Sequence, residues 1–264
     1  QNILNDIKQR GDDALKEYTK QFDNIELNDF KVSDEEWLAA ETIDENLKDA
    51  INISIKNVRK FQEAQQQPIE KIETMPGVVC WRKSVAIEKV GLYIPGGTAP
   101  LFSTVIMLGV PAMIAGCKEV ILCTPPQKDR KIHAAILYAA KQIGINKIYK
   151  IGGAQAIAAM AYGTKTINKV HKIFGPGNQF ITCAKVLVNA EGIAIDMPAG
   201  PSEVAVLADE TANAEFIAAD LLSQAEHGKD SQVLLVTNNE AVINKTIKAL
   251  HEQINDLPRK EIAA

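Results

Sequence analysis

Three glycine-rich turns carry the first chemical signal in this sequence: Pro95-Gly96-Gly97-Thr98, Gly152-Gly153-Ala154-Gln155 and Gly175-Pro176-Gly177-Asn178. Each stands where an apolar run gives way to a helical pattern. Glycine lets the backbone turn sharply and come close to a ligand, and the helix N-terminus behind such a turn favours an anion such as pyrophosphate. An ordinary strand-to-helix turn explains any one of them. Three on one rim say more, because open α/β sheets bind ligands at the carboxyl ends of their strands. None spells G-x-G-x-x-G, and no acidic residue stands out at the ribose-binding distance.

A second signal is Gln224-Ala225-Glu226-His227-Gly228, at the end of a helical pattern. Residues three apart share a helix face, so Gln224 and His227 can reach one ligand or metal ion. Imidazole suits zinc, glutamine is an unusual ligand, and two donors do not complete a site. The same residues also read as a plain helix terminus, with His227 favoured by the macrodipole and Gly228 just past the end. In Ala199-Gly200-Pro201-Ser202-Glu203, Ser202 can be an oxyanion donor, a substrate contact or part of a capped turn. The absence of a G-x-S-x-G elbow speaks against a nucleophile. Asp196 closes an apolar run as either a functional carboxylate or a turn former. His133, His171 and His251 have no partners at ligand spacing.

The elements that must position these residues are of two kinds. The first third is polar and helical: Ile3, Ile7, Leu15 and Tyr18 mark an amphipathic helix, Ser33 before Glu35, Glu36 and Trp37 reads as a helix start, and 44–65 repeats apolar residues at helical spacing. After Gln65 to Pro68 the pattern breaks. Strands are then expected over 85–94, 119–123, 147–151, 172–174, 193–196, 204–207 and 233–237, with helices near 104–115, 131–143, 155–161, 179–188, 212–225 and 239–254. Continuous apolar strands alternating with helices predict a parallel sheet covered on both faces.

Bulk composition narrows the function classes. The 264 residues are 46% hydrophobic and 23% charged, with a formal net charge of −4 and no long run of one sign. A nucleic-acid partner, which asks for a basic patch, is not expected. The longest apolar stretch, 104–117, is too short to cross a bilayer and contains Pro111, so no membrane role is expected. No signal peptide precedes the first helix, and a cytoplasmic location is expected. Cys80, Cys117, Cys123 and Cys183 form no C-x-x-C pair and read as reduced core residues.

Taken together, these residues resemble a known family. Ile195-Asp196-Met197-Pro198-Ala199-Gly200-Pro201-Ser202-Glu203-Val204, running on to Gln224-Ala225-Glu226-His227-Gly228, is similar to the long signature of histidinol dehydrogenases. Val90-Gly91-Leu92-Tyr93-Ile94-Pro95-Gly96-Gly97, Gly152-Gly153-Ala154-Gln155-Ala156 and Phe174-Gly175-Pro176-Gly177-Asn178 fall in the family's order and rough spacing, so the resemblance covers nearly the whole chain. It implies a homodimer that takes L-histidinol through the aldehyde to L-histidine, the last step of histidine biosynthesis, using NAD twice and zinc. The implied fold is α/β, with two Rossmann-like three-layer α/β/α domains of the aldehyde/histidinol dehydrogenase type and an N-terminal helical segment at 1–24. A first α/β domain would comprise 25–90 and 201–264, incomplete at its C-terminus. A second, 91–200, would be inserted into it and carry the NAD-contacting turns. The resemblance assigns NAD contacts to Tyr93, Gln155 and Asn178, substrate binding to Ser202, Gln224 and His227, and zinc ligation to Gln224 and His227.

The family's Glu-His catalytic pair, an aspartate zinc ligand and a histidine ligand donated by the other subunit belong well downstream of Gly228. No such pair follows His227 before Ala264, so the catalytic residues stay unassigned and these 264 residues alone are expected to be inactive. A non-catalytic nucleotide-binding or dimerisation fragment is the alternative. A conventional NAD-dependent aldehyde dehydrogenase would need a catalytic cysteine in a suitable turn, and none is evident.

Overall fold

The structure is a computed structural model describing residues 1–96, 100–198, 202–228 and 231–263. Of the motifs above, Gly97, Thr98, Ala199, Gly200 and Pro201 lie outside the described residues. The chain divides into two compact units, 1–198 and 199–264.

The first unit opens with helices α1 (Asn2–Arg10) and α2 (Asp12–Tyr18) and a π-helical turn at Thr19–Asp23. Helix α3 (Asp34–Ala40) begins where the serine predicts. Ser33 Oγ accepts from the Glu36 N–H at 3.3 Å while Glu36 Oε2 accepts from the Ser33 N–H at 3.0 Å, a reciprocal cap. Helix α4 (Glu45–Glu63), capped by Asp44, buries Ile51 and Ile55.

Next come strands β1 (Lys71–Met75) and β2 (Val78–Trp81), an antiparallel hairpin absent from the sequence reading. Every residue in both strands is exposed, so the pattern of a half-buried strand never forms. The legible signal was Pro76-Gly77, where Gly77 takes φ +80° in the turn.

A repeating strand–helix series follows: β3 (Lys89–Tyr93), α5 (Phe102–Ile114), β4 (Glu119–Thr124), α6 (Ala134–Ile143), β5 (Lys147–Lys150), α7 (Gly153–Tyr162), β6 (Lys172–Phe174), α8 (Gln179–Ala190) and β7 (Ala194–Ile195). The five strands form one parallel sheet in the order β5-β4-β3-β6-β7. Side chains alternate between two cores. Tyr93, Ile121, Cys123 and Ile173 pack on the side of α1, α7 and α8, and Val90, Leu92, Val120 and Leu122 pack with α4, α5 and α6. Both faces are covered, which is why the strands read as unbroken apolar runs. The strand expected over 85–94 is trimmed at both ends. Helix α6 starts after His133, which caps it by accepting from the Ala135 N–H at Nδ1 (3.2 Å) and so does not lie within the helix as expected.

Residues 25–90 group with 91–198 in this division, because α3 packs on α6 and α4 on α5. The second unit is β8 (Glu203–Ala208), α9 (Ala214–Ala225), β9 (Gln232–Thr237), α10 (Glu240–Gln253), a 3₁₀ turn at Ile254–Asp256 and α11 (Lys260–Ala263). β8 and β9 pair in parallel, with Val204, Val206 and Leu235 against Ile217, Leu221 and Val242. The α/β class expected from the sequence is the class observed.

All four cysteines are free, but the expectation that all are core residues is corrected. Only Cys123, within β4, is buried; Cys80 lies on the uncovered hairpin and Cys183 is exposed on α8. Among the described residues no helix is long and apolar enough to cross a membrane.

Candidate functional site

The sheet order sets where a ligand can sit. From β3 the chain builds outward through β4 to β5, then returns to the other side of β3 for β6 and β7. The order therefore reverses between β3 and β6, and ligands of such sheets bind beyond the carboxyl ends of the strands at that point. Tyr93 ends β3 and Gly175 follows β6. A cavity of about 870 Å³ opens there, lined among others by Asp23, Tyr93, Pro125, Gln155 and Asn178. Its size suits a large organic ligand. The three residues singled out for cofactor contact are thus brought to one cavity from three separate strand ends.

Each has a distinct hydrogen-bonding state. The Tyr93 phenol is 4% exposed, and its oxygen accepts from the Gly153 N–H at 3.2 Å. Burial, with the nearby Asp23 charge adding to it, pushes the phenol up to about 12, so it keeps its proton and can donate it. Asn178 caps α8: Oδ1 accepts from the N–H groups of Phe180 (3.1 Å) and Ile181 (3.2 Å), which leaves its amide nitrogen to donate elsewhere. Gln155 is fully buried in the first turn of α7, and among the described residues neither its amide nitrogen nor its amide oxygen has a partner. A buried unpaired amide costs about 1–3 kcal/mol, which makes Gln155 the group most in want of a ligand.

Glycine is required where the turns crowd each other. A Cβ on Gly96 would run into Pro125 Cγ, one on Gly152 would lie 2.6 Å from Pro125 Cβ, and one on Gly175 (φ +138°) would strike the Tyr93 carbonyl oxygen. Pro125, immediately after β4, is therefore the post between the first two turns. The sequence reading passed over it, although a Thr-Pro-Pro run directly after a strand was the available signal.

It also missed Asp23 and Lys185. Asp23 reaches the cavity from the π-helical turn with Oδ2 buried and unpaired among the described residues, and burial raises its carboxyl above the ordinary range. Lys185 is buried on α8 and forms an ion pair with Asp196. Nothing in local spacing marks either residue. Asp196, left open between a functional carboxylate and a turn former, bonds the third glycine turn: its Oδ2 accepts from the Gly175 N–H at 2.8 Å.

In the second unit, Gln224 lies in the last turn of α9 and His227 just beyond it, where its N–H donates to the Gln224 carbonyl at 3.1 Å. The Gln224 side-chain nitrogen donates to the Ser202 carbonyl at 3.1 Å and to Ser231 Oγ at 3.4 Å. The three sequence-predicted residues Ser202, Gln224 and His227 thus share one neighbourhood. Because the nitrogen of Gln224 is committed, its oxygen is the atom left for a ligand or metal. Among the described residues no group of three or more His, Cys, Asp or Glu side chains is placed to hold a metal ion.

Comparison with known proteins decides the family. The family model described as histidinol dehydrogenase matches residues 1–264. The chain belongs to the histidinol dehydrogenase family. It is 57% identical over 263 residues to the histidinol dehydrogenase of Bacteroides thetaiotaomicron, covering 99% of this chain and 61% of that protein. The crystal structure of histidinol dehydrogenase from Elizabethkingia anophelis superposes with a TM-score of 0.94 at 54% identity, again over 99% of this chain and 61% of the other. The chain thus spans about three-fifths of the length of the histidinol dehydrogenases it matches. A likeness in fold alone, at 14% identity and a TM-score of 0.51, extends to a putative aldehyde dehydrogenase from Anabaena variabilis.

Proposed function

We propose that the complete protein oxidises L-histidinol through the aldehyde to L-histidine with NAD as electron acceptor and zinc as a bound metal, acting as a cytoplasmic homodimer. The observation that carries the reading is the meeting of Tyr93, Asn178 and the unpaired Gln155 amide at one cavity on the sheet's switch point. The residues fit a dinucleotide. Tyr93 and Asn178 offer donors, Gln155 offers both a donor and an acceptor, and side-chain-free turns admit the ligand close to the backbone. NAD, when bound, supplies the hydride acceptor; the protein supplies grip and orientation.

Gln224 and His227 fit as a neutral donor pair for zinc, with Ser202 beside them as a substrate contact. Two donors leave positions for further ligands and for substrate nitrogen or oxygen. Zinc, when bound, acts as a Lewis acid that orients the substrate.

The test is NADH formation from histidinol by the complete protein, with a chelator control. Two NADH per histidinol, lost on zinc removal and regained on its return, is the expected result. Saturable NAD binding without turnover would instead support a nucleotide-binding or dimerisation module, and no response to NAD would sink the cofactor reading.

A further inference from the structure

We propose that Lys185 and Asp196 form a positioning pair that holds the Gly175-Pro176-Gly177-Asn178 turn in the shape that presents Asn178 to the cofactor. This rests on the NAD reading above and adds two residues that the reading leaves unused. Both groups grip the same residue, Gly175, one at its C=O and the other at its N–H. The Lys185 ammonium donates to the Gly175 carbonyl at 2.9 Å, and Asp196 Oδ2 accepts from the Gly175 N–H at 2.8 Å. The two side chains are also paired with each other, and that of Lys185 is only 5% exposed.

The gripped residue is one that cannot hold itself. Gly175 adopts φ +138°, a region that only glycine enters readily, and a Cβ there would strike the Tyr93 backbone carbonyl. Glycine there makes the approach possible and leaves the backbone with many other conformations. Fixing both the N–H and the C=O of one residue removes most of that freedom. Three residues on, Asn178 is the N-cap of α8, so the path from Gly175 sets where its free amide nitrogen points. Lys185 stands on the same helix that Asn178 caps, and Asp196 follows β7, the strand next to β6. The pair therefore ties the helix, the adjoining strand end and the turn into one piece.

A buried pair of this kind is weak evidence for a stability role, since apolar replacements are often neutral or stabilising, whereas removing one partner leaves an uncompensated charge. That asymmetry shapes the test. In the complete enzyme, Lys185→Arg, Lys185→Met, Asp196→Asn and the double variant Lys185→Met/Asp196→Asn are compared by KM for NAD, KM for histidinol, and thermal midpoint with and without NAD. The expected result is a rise of about tenfold or more in KM for NAD in the Met and Asn variants, with KM for histidinol within about twofold of wild type and partial recovery in Lys185→Arg. The double variant should fold and still show the raised KM for NAD, which separates positioning from stability if Lys185→Met alone fails to fold. A folded double variant with wild-type KM for NAD overturns the inference, as does an equal rise in both KM values. A wild-type enzyme that shows no saturation by NAD overturns the cofactor reading itself, and the role of the pair with it.

Discussion

The phenol oxygen of Tyr93 accepts a hydrogen bond from the backbone N–H of Gly153 across 3.2 Å, tying the carboxyl end of β3 to the start of α7. Two of the three glycine turns are joined by this one contact. Because the phenol only accepts here, its own proton is available to a ligand. Tyr93→Phe removes both functions while keeping the ring. The expected outcome is a rise of about tenfold in KM for NAD, equivalent to about 1.4 kcal/mol, with about 1 kcal/mol lost in folding stability. Since burial holds the phenol at about 12, wild-type KM for NAD should show no tyrosine titration between pH 6 and 9. Steady-state kinetics across that range check both points, and an unchanged KM in the variant would remove Tyr93 from the binding set.

Gln155 offers the opposite balance of stability and binding. Its amide is buried with both polar atoms unpaired, a cost the free protein bears continuously. Gln155→Met keeps similar bulk and removes both polar atoms. Unfolding by urea should show the variant more stable by about 1–2 kcal/mol, while NAD affinity falls by about tenfold or more. A variant that is less stable and binds NAD normally would show that the amide has partners in the protein and none in the ligand.

The single helix expected from Ile3 to Tyr18 is two, α1 and α2, broken at Gly11 with φ +56°. The alternating series from 89 onward follows from its apolar runs, because β3, β4 and β5 are buried on both faces. The hairpin 71–81 was hidden for the converse reason: with no face covered, its residues follow no burial pattern. At the site, the glycine turns holding Gln155 and Asn178 were legible directly, whereas singling out Tyr93, Gln155 and Asn178 as cofactor contacts rested on the family resemblance. Pro125, Asp23 and Lys185 were not legible. They reach the site across strands and helices distant in sequence, from 23 through 125 to 185, and no local spacing encodes such a meeting. Asp196 was visible as a strand-end carboxylate, but its choice of Gly175 as partner depends on β7 lying beside β6.

Glu36 gives a pH-dependent test of the first unit. Burial alone would raise its carboxyl. The backbone N–H of Ser33, the Lys150 ammonium at 2.9 Å and the N–H of Ile132 at 2.9 Å together outweigh that and hold it below the ordinary carboxylate range. A depressed folded-state value contributes stability above the unfolded value, near 4.5, and loses it as the pH falls through the folded value. Glu36→Gln also strands the buried Lys150 charge, so a loss of about 3 kcal/mol near neutral pH is expected. The gap between variant and wild type should begin to shrink as the pH falls below the unfolded value near 4.5 and keep shrinking as the pH passes through the lower folded value. Denaturant melts at pH 7 and pH 3 measure it, and a pH-independent gap would mean that shape at this site, and not charge, sets the loss.

Gln224 and His227 allow metal ligation to be separated from helix-end packing. The Gln224 nitrogen is held by the Ser202 carbonyl and Ser231 Oγ, so Gln224→Ala disturbs both packing and any metal. Gln224→Glu separates them. It loses the donor to Ser202 but keeps an oxygen where the metal would bind, now with a charge that zinc favours. His227, exposed past the helix end, has no side-chain hydrogen bond among the described residues, so His227→Ala should leave folding unaffected. If the pair ligates zinc, His227→Ala in the complete protein should lower zinc affinity by more than the roughly 10–100-fold typical of an outer-shell partner. Gln224→Glu should retain the metal yet raise KM for histidinol, because the Ser202 segment is released. Metal content after dialysis, read beside histidinol kinetics, distinguishes the cases. Full zinc content in His227→Ala would return that residue to the role of a helix terminus and leave the metal to be held elsewhere.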